Sequence, residues 1–146
     1  MPGSANSDES YVLDLTDDLL GERASRQHRF DWLLGDPSSS GNRRKLPVDG
    51  YYKRHALVVE YHERQHEHPV PHFDKPDRMT VSGVDRGKQR RLYDERRREL
   101  IPCHGLRLLV IRAGDLATDS RGRLHRDQQA DLVVLSKMLK SFVLLG

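Results

Sequence analysis

Apolar positions alternate between two periods along this chain. From the first turn onward Tyr11, Val12, Leu15, Leu19 and Leu20 recur at helical spacing, and the segment closes on Phe30, Trp32 and Leu33. The pattern predicts helix over residues 8–33, with Gly21 kinking or dividing it. Residues 35–42, GDPSSSGN, are a loop by composition. Val48 to Tyr52 and Ala56 to Tyr61 are rich in β-branched and aromatic residues and predict two strands. Three prolines make residues 67–78 a loop, and Met79 to Val84 suits a short strand. Residues 87–101 predict a strongly basic helix, ended by Pro102 and Gly105, with Leu92, Tyr93, Leu100 and Ile101 as its buried stripe. Leu106 to Arg112 suits a buried strand and residues 115–127 a polar connection. Residues 128–144 predict an amphipathic helix through Leu132, Val133, Leu135, Met138, Leu139, Phe142 and Val143. The expected class is α/β: an N-terminal helix, a small mixed central sheet, a basic helix, a further strand and a C-terminal helix.

Length and charge refine this outline. At 146 residues the chain fits one domain, expected over residues 8–146, with residues 1–7 as a disordered tail. No apolar run is as long as a membrane span, and the N-terminal residues lack the basic and apolar segments of a secretory signal. The single cysteine, Cys103, excludes an internal disulfide and a cysteine-based zinc site, and fits a reducing cytoplasm as the expected location. The net charge of +3 is modest, but of 25 basic residues 19 are Arg and six Lys, in dense runs at 43–45 and 86–98. Arg suits bidentate recognition of phosphate, and clustered basic charge suits a polyanionic partner. A GC-rich genome gives the same Arg bias, and both readings stand.

Candidate chemistry rests on two acids. A hairpin centred between Arg54 and His55 sets Tyr51 opposite Val58 and Asp49 opposite Glu60. Opposed side chains lie about 5 Å apart at Cβ, and two carboxylates so close repel unless a cation or proton lies between them. A hard divalent ion suits such oxygen ligands. Arg-His is not a favoured two-residue turn, but a longer loop with the same centre keeps the register. Alternation places His62 on the face of Glu60, with the Tyr61 carbonyl nearby. In the alternative, Asp49 caps a turn beside Gly50 and Glu60 ends an edge strand, although an acid inside ALVVEY is costly to bury without a partner. His62, His66, His68 and His72 lie within eleven residues, a spacing open to zinc or to solvated loop histidines.

From Val48 onward the pattern resembles the branch of the PD-(D/E)XK nuclease-like fold that contains the very-short-patch mismatch repair endonucleases and their uncharacterised relatives. Val48-Asp49 matches the Asp-bearing strand. Glu60 and His66 match the next element, Glu-x-Asp-Gly-x-x-His. Asp94-Glu95-Arg96-Arg97 matches a helical Asp-x-x-Arg, and Ile101, Gly105 and the strand at Leu106-Arg107-Leu108-Leu109-Val110 follow in step. The resemblance covers roughly residues 15–116. His62 stands where relatives carry Asp or Lys, Glu63 stands where they carry Gly, and residues 67–86 form a longer stretch.

The resemblance implies a restriction-endonuclease-like core and Mg²⁺-dependent hydrolysis of phosphodiester bonds in DNA, with Mn²⁺ as a substitute ion. Asp49, Glu60 and the Tyr61 carbonyl would hold the ion, and His62 would orient a water or accept its proton. Glu22 stands for the acid of the first helix, and Gln65 and His66 are supporting or phosphate-contacting groups. Lys88, Arg90, Arg91, Arg97 and Arg98 of the basic helix are candidate nucleic-acid contacts. The same helix also reads as an ordinary charged surface, with Asp94, Glu95 and Glu99 pairing with its arginines and Arg97 bracing Asp94. Two other functions fit the sequence: an inactive nucleic-acid-binding or accessory module on the same fold, and a histidine-based metal-binding or interaction domain. RNA against DNA, and the oligomeric state, are left open.

Overall fold

The computed structural model describes residues 7–63 and 86–142. In chain order these form α1 (Asp8–Leu20), β1 (Ser25–Leu34), β2 (Lys45–Tyr52), β3 (Leu57–His62), α2 (Arg86–Cys103), β4 (Arg107–Arg112) and α3 (Gln128–Lys140). The expected strand at 79–84, with Gln65, His66, His68, His72 and Val143, lies outside the described residues. No helix among the described residues is long and apolar enough to cross a membrane.

The sheet is mixed, in the order β1-β2-β3-β4. β1, β2 and β3 form an antiparallel meander, and β4 joins parallel to β3 after α2. One face packs on α1 and α3 through Val12, Leu13, Leu15, Tyr52, Leu57, Val59, Ile111, Leu135 and Leu139. The other packs on α2 through Leu33, Leu46, Val48, Val58 and Ile101. A sheet covered on both sides explains why all of Leu57 to Tyr61 is buried. Val133, expected in the core stripe of the last helix, is instead 55% exposed.

The largest correction concerns residues 8–33, which are not one helix. Ser7, assigned to the tail by sequence, is the N-cap of α1, its hydroxyl accepting from the Ser10 amide. Gly21 ends the helix in the left-handed conformation, φ 66°, and its N–H bonds the Asp17 carbonyl. Beyond it the chain extends as β1. His28, Phe30 and Trp32 alternate at the strand period, and tertiary packing of these rings overrides the helical reading. Phe30 and Trp32 stack with centroids 4.6 Å apart, and His104, just past α2, lies flat on Trp32 at 3.9 Å. This stack fastens the end of α2 to the edge strand.

β2 and β3 pair in the register of a hairpin centred between Arg54 and His55, with Tyr51 facing Val58 and Gly50 facing Val59. The turn is a 3-10 segment, Lys53–His55, closed by Ala56 at φ 50°. Gly50 is required by close packing: a Cβ there would stand 2.9 Å from Leu13 Cδ2 and 3.2 Å from Ala24 Cβ.

Candidate active site

The hairpin ladder stops one step short of the acids. Its last pair is Gly50 with Val59, and at the next level side chains take over from backbone. Glu60 Oε2 accepts from the Asp49 amide at 2.6 Å, and Asp49 Oδ2 accepts from the Tyr61 amide at 2.8 Å. Each carboxylate therefore holds the other's strand. Across Asp49 the strand also exchanges faces. Leu46 and Val48 pack toward α2, whereas Gly50 and Tyr52 pack toward α1. Asp49 sits at that switch, and groups from both layers converge on it and Glu60.

From the α1 side comes Glu9, whose carboxyl lies close enough to Asp49 to feel its charge and accepts from Gln27 Nε2 at 3.0 Å. From the α2 side comes Arg97. Its Nε lies 3.6 Å from Glu60 Oε1 and donates to the Pro47 carbonyl at 3.1 Å, and its Nη1 donates to Asp94 at 3.0 Å. The Glu60 side chain is only 6% exposed. Burial, then the charge of Asp49, pushes its carboxyl up to about 8, against the opposing pull of Arg97 and the Asp49 amide. Burial and Asp49 likewise raise Glu9 to about 7, against Gln27 and Arg26. Near neutral pH, without a cation, this cluster holds at least part of its negative charge in check by keeping protons.

The remaining candidates divide. Tyr61 turns its ring into the α1 layer while its amide serves Asp49. His62 closes β3, half-buried and paired with Arg112 of β4, and strand alternation sets it on the side of Glu60. Glu22 is not at this site. It lies past α1, at the turn end of the hairpin, where it accepts from the Arg54 amide at 3.1 Å and from His55 Nδ1 at 2.7 Å. Arg97 is not a solvent-facing phosphate contact, because its guanidinium is committed to Pro47, Asp94 and Glu60. Lys88, Arg90, Arg91 and Arg98 do lie on the exposed face of α2.

No family model, curated protein or solved structure matches this chain. Among the described residues no group of three or more His, Cys, Asp or Glu side chains stands ready in metal-ligating geometry. The two acids are turned onto backbone amides instead, Glu60 onto that of Asp49 and Asp49 onto that of Tyr61.

Two participants escape a reading of the sequence. Glu9 occupies the first turn of a helix, where an acid is the ordinary complement to the helix dipole and attracts no notice. Gln27 fell inside the supposed helix. It adopts φ 50°, rare for a residue with a side chain, within β1. The ring alternation at His28, Phe30 and Trp32 was the signal that could have exposed the strand and, with it, Gln27.

Proposed function

We propose that the protein is a metal-dependent phosphodiester hydrolase acting on nucleic acid, DNA being the expected polymer, with Asp49 and Glu60 as its cation-holding pair. The observation that carries this reading is the end of the β2–β3 ladder. There two acids on adjacent strands replace backbone pairing with side-chain bonds to amides of the opposite strand, and a third acid, Glu9, lies beside them. Packed acids, of which Glu9 and Glu60 have raised proton affinity, fit a hard divalent ion such as Mg²⁺ or Mn²⁺, which offers a compensating charge in place of the retained protons. When bound, such an ion supplies Lewis-acid polarisation of a phosphoryl oxygen and an acidified water.

The chain's own groups then have distinct tasks. Arg97 anchors the Glu60 carboxylate and, through Pro47, the strand before Asp49. Gln27 orients Glu9. His62, next but one to Glu60, is the group to orient a water or take its proton. The order of the elements also supports the resemblance to a restriction-endonuclease-like core. An acid-bearing hairpin lies between α1 and an α2 carrying Asp94-x-x-Arg97, and an apolar strand follows beside β3.

A second reading, an inactive nucleic-acid-binding module on the same fold, is favoured by the engagement of both carboxylates with amides and by the lack of a ready ligand set among the described residues. Cleavage of plasmid and single-stranded DNA and RNA in Mg²⁺ or Mn²⁺ separates the two. The hydrolase reading expects cutting that falls by about 10²–10³-fold in Asp49→Asn and Glu60→Gln, on the scale of losing a principal electrostatic group. Full activity in Glu60→Gln would exclude the mechanism. A wild-type protein that binds neither ion and cuts nothing, yet binds nucleic acid, favours the inactive module.

A further inference from the structure

A second feature lies outside the acid cluster. A cleft of about 470 Å³ opens between the start of α2, the loop that follows β1, and the start of β2. Four cationic side chains line it: Arg29, Arg44, Lys45 and Arg86. The one carboxylate in the lining, Asp36, is already bridged to Arg96 at 2.8 Å. Lys45 pairs with Asp31, but that acid is 89% exposed, so the pair is solvated and weak. Arg29 donates to the Lys45 carbonyl, a neutral acceptor that leaves its charge uncompensated. Arg44 and Arg86 form no ion pair with a described residue, and both are exposed. The loop wall is fixed, because Gly35 N bonds Arg44 O at 2.8 Å and Arg43 Nε bonds Gly35 O at 2.7 Å. Tyr93 and Pro47 supply less polar surface within the same cleft.

We propose that this cleft is a phosphate-binding subsite for a polynucleotide strand whose neighbouring phosphodiester lies at the acid cluster. Guanidinium charge that no described residue balances, at a formed concavity, selects a phosphate-bearing anion. Position selects the polymer. Pro47 lines the cleft, and its carbonyl is held by Arg97, which also reaches Glu60. Asp49 follows two residues along β2, about 7 Å at strand rise, and phosphates recur about every 3.4 Å of axis along each strand of a duplex. A strand seated in the cleft therefore reaches the acids within a few nucleotides. The proposal rests on the hydrolase reading for the task of the acids, but the cleft binds with or without hydrolysis.

The test is binding of a fluorescent oligonucleotide duplex in EDTA, titrated with salt. Arg44→Gln/Arg86→Gln is expected to weaken binding at least tenfold at low salt. It should also reduce the log–log salt slope by roughly 1.8, about 0.9 for each lost phosphate contact. Arg44→Lys/Arg86→Lys should retain the slope, and Arg121→Gln/Arg123→Gln, on the loop before α3, should bind as wild type does. Inorganic pyrophosphate is the competing probe. If pyrophosphate binds in an Arg44-dependent manner while the duplex does not bind, the site is one for small anions and the proposal falls. It falls equally if the Arg44/Arg86 glutamine variant matches wild type in affinity and slope. Failure of the hydrolase reading looks different: wild type then cuts nothing, yet its duplex binding still depends on Arg44 and Arg86. If wild type cuts and the glutamine variant cuts with unchanged KM, the cleft is overturned and the hydrolase stands.

Discussion

The two ends of the β2–β3 hairpin each cover a glutamate, with opposite electrostatic results. At the turn, Glu22 is 10% exposed; at the open end, Glu60 is 6% exposed. Surface area alone would treat them alike. Depth and neighbours do not. Glu22 lies shallow, so its burial penalty is outweighed by the His55 hydrogen bond, the Arg54 amide and the charge of both residues, which hold it below the usual carboxylate range. Glu60 lies deep, beside another acid, with Arg97 at 3.6 Å as its compensating charge, and is pushed up to about 8. An acid that is satisfied reads as structure. An acid kept uphill by its surroundings is a candidate for a functional site.

The sharpest way to break this comparison is Glu60→Gln, followed by urea unfolding across pH without divalent ions. A carboxyl whose folded value is raised keeps its proton while the unfolded chain loses it. The contribution of Glu60 to wild-type stability therefore falls as pH rises from about 4.5, the ordinary value, to about 8, and is level above that. Glu60→Gln is expected to remove most of that decline and to stabilise the protein at pH 8 by about 2–3 kcal/mol, a residual slope to about pH 7 remaining from Glu9. A variant less stable than wild type at pH 8 would show that Glu60 is a satisfied acid like Glu22.

A smaller effect is expected of Arg97→Met, a loss of about 2 kcal/mol at pH 7, because Glu60, Asp94 and the Pro47 carbonyl lose a partner together. Adding Glu60→Gln should restore more stability in that background than it does in wild type, and additive changes would place Arg97 outside the cluster. The smallest effect belongs to the turn. Glu22→Gln should cost about 1 kcal/mol near neutral pH. Since the folded value of Glu22 is lowered, its contribution is present above about 4.5 and disappears as pH falls through the folded value, so the unfolding curves of variant and wild type should converge in acid.

Parts of the site were legible because they follow from local rules. Strand periodicity located β2 and β3, and the symmetric placement of Asp49 and Glu60 about the turn follows from antiparallel pairing. The basic helix was visible from its flanking Pro102 and Gly105, although it runs through Pro102 to Cys103. What lay hidden depends on tertiary placement. Nothing local distinguishes Glu9 from any acid in a first helical turn. Glu22 was the more conspicuous acid in the region, but Gly21 turns the chain so that it faces His55 instead. Arg97 was legible as the brace of Asp94, a contact it makes at 3.0 Å, but its reach to Glu60 and the Pro47 carbonyl was hidden, and Arg96 was indistinguishable from its exposed neighbours until the packing of α2 turned it inward onto the Leu34 carbonyl and Asp36.

The ring stack at the end of α2 has a spectroscopic consequence. Trp32 is the only tryptophan in the chain, and its indole lies between Phe30 and His104. Tryptophan emission therefore comes from a single emitter at the seam where β1 meets the end of α2. Undocking of α2 frees one face of that indole and should alter both the intensity and the colour of emission. Loosening of α1 or α3, on the opposite layer, leaves the indole untouched and falls to Tyr11 and Tyr52 to report. One chromophore thus assigns an unfolding signal to one face of the sheet without any label.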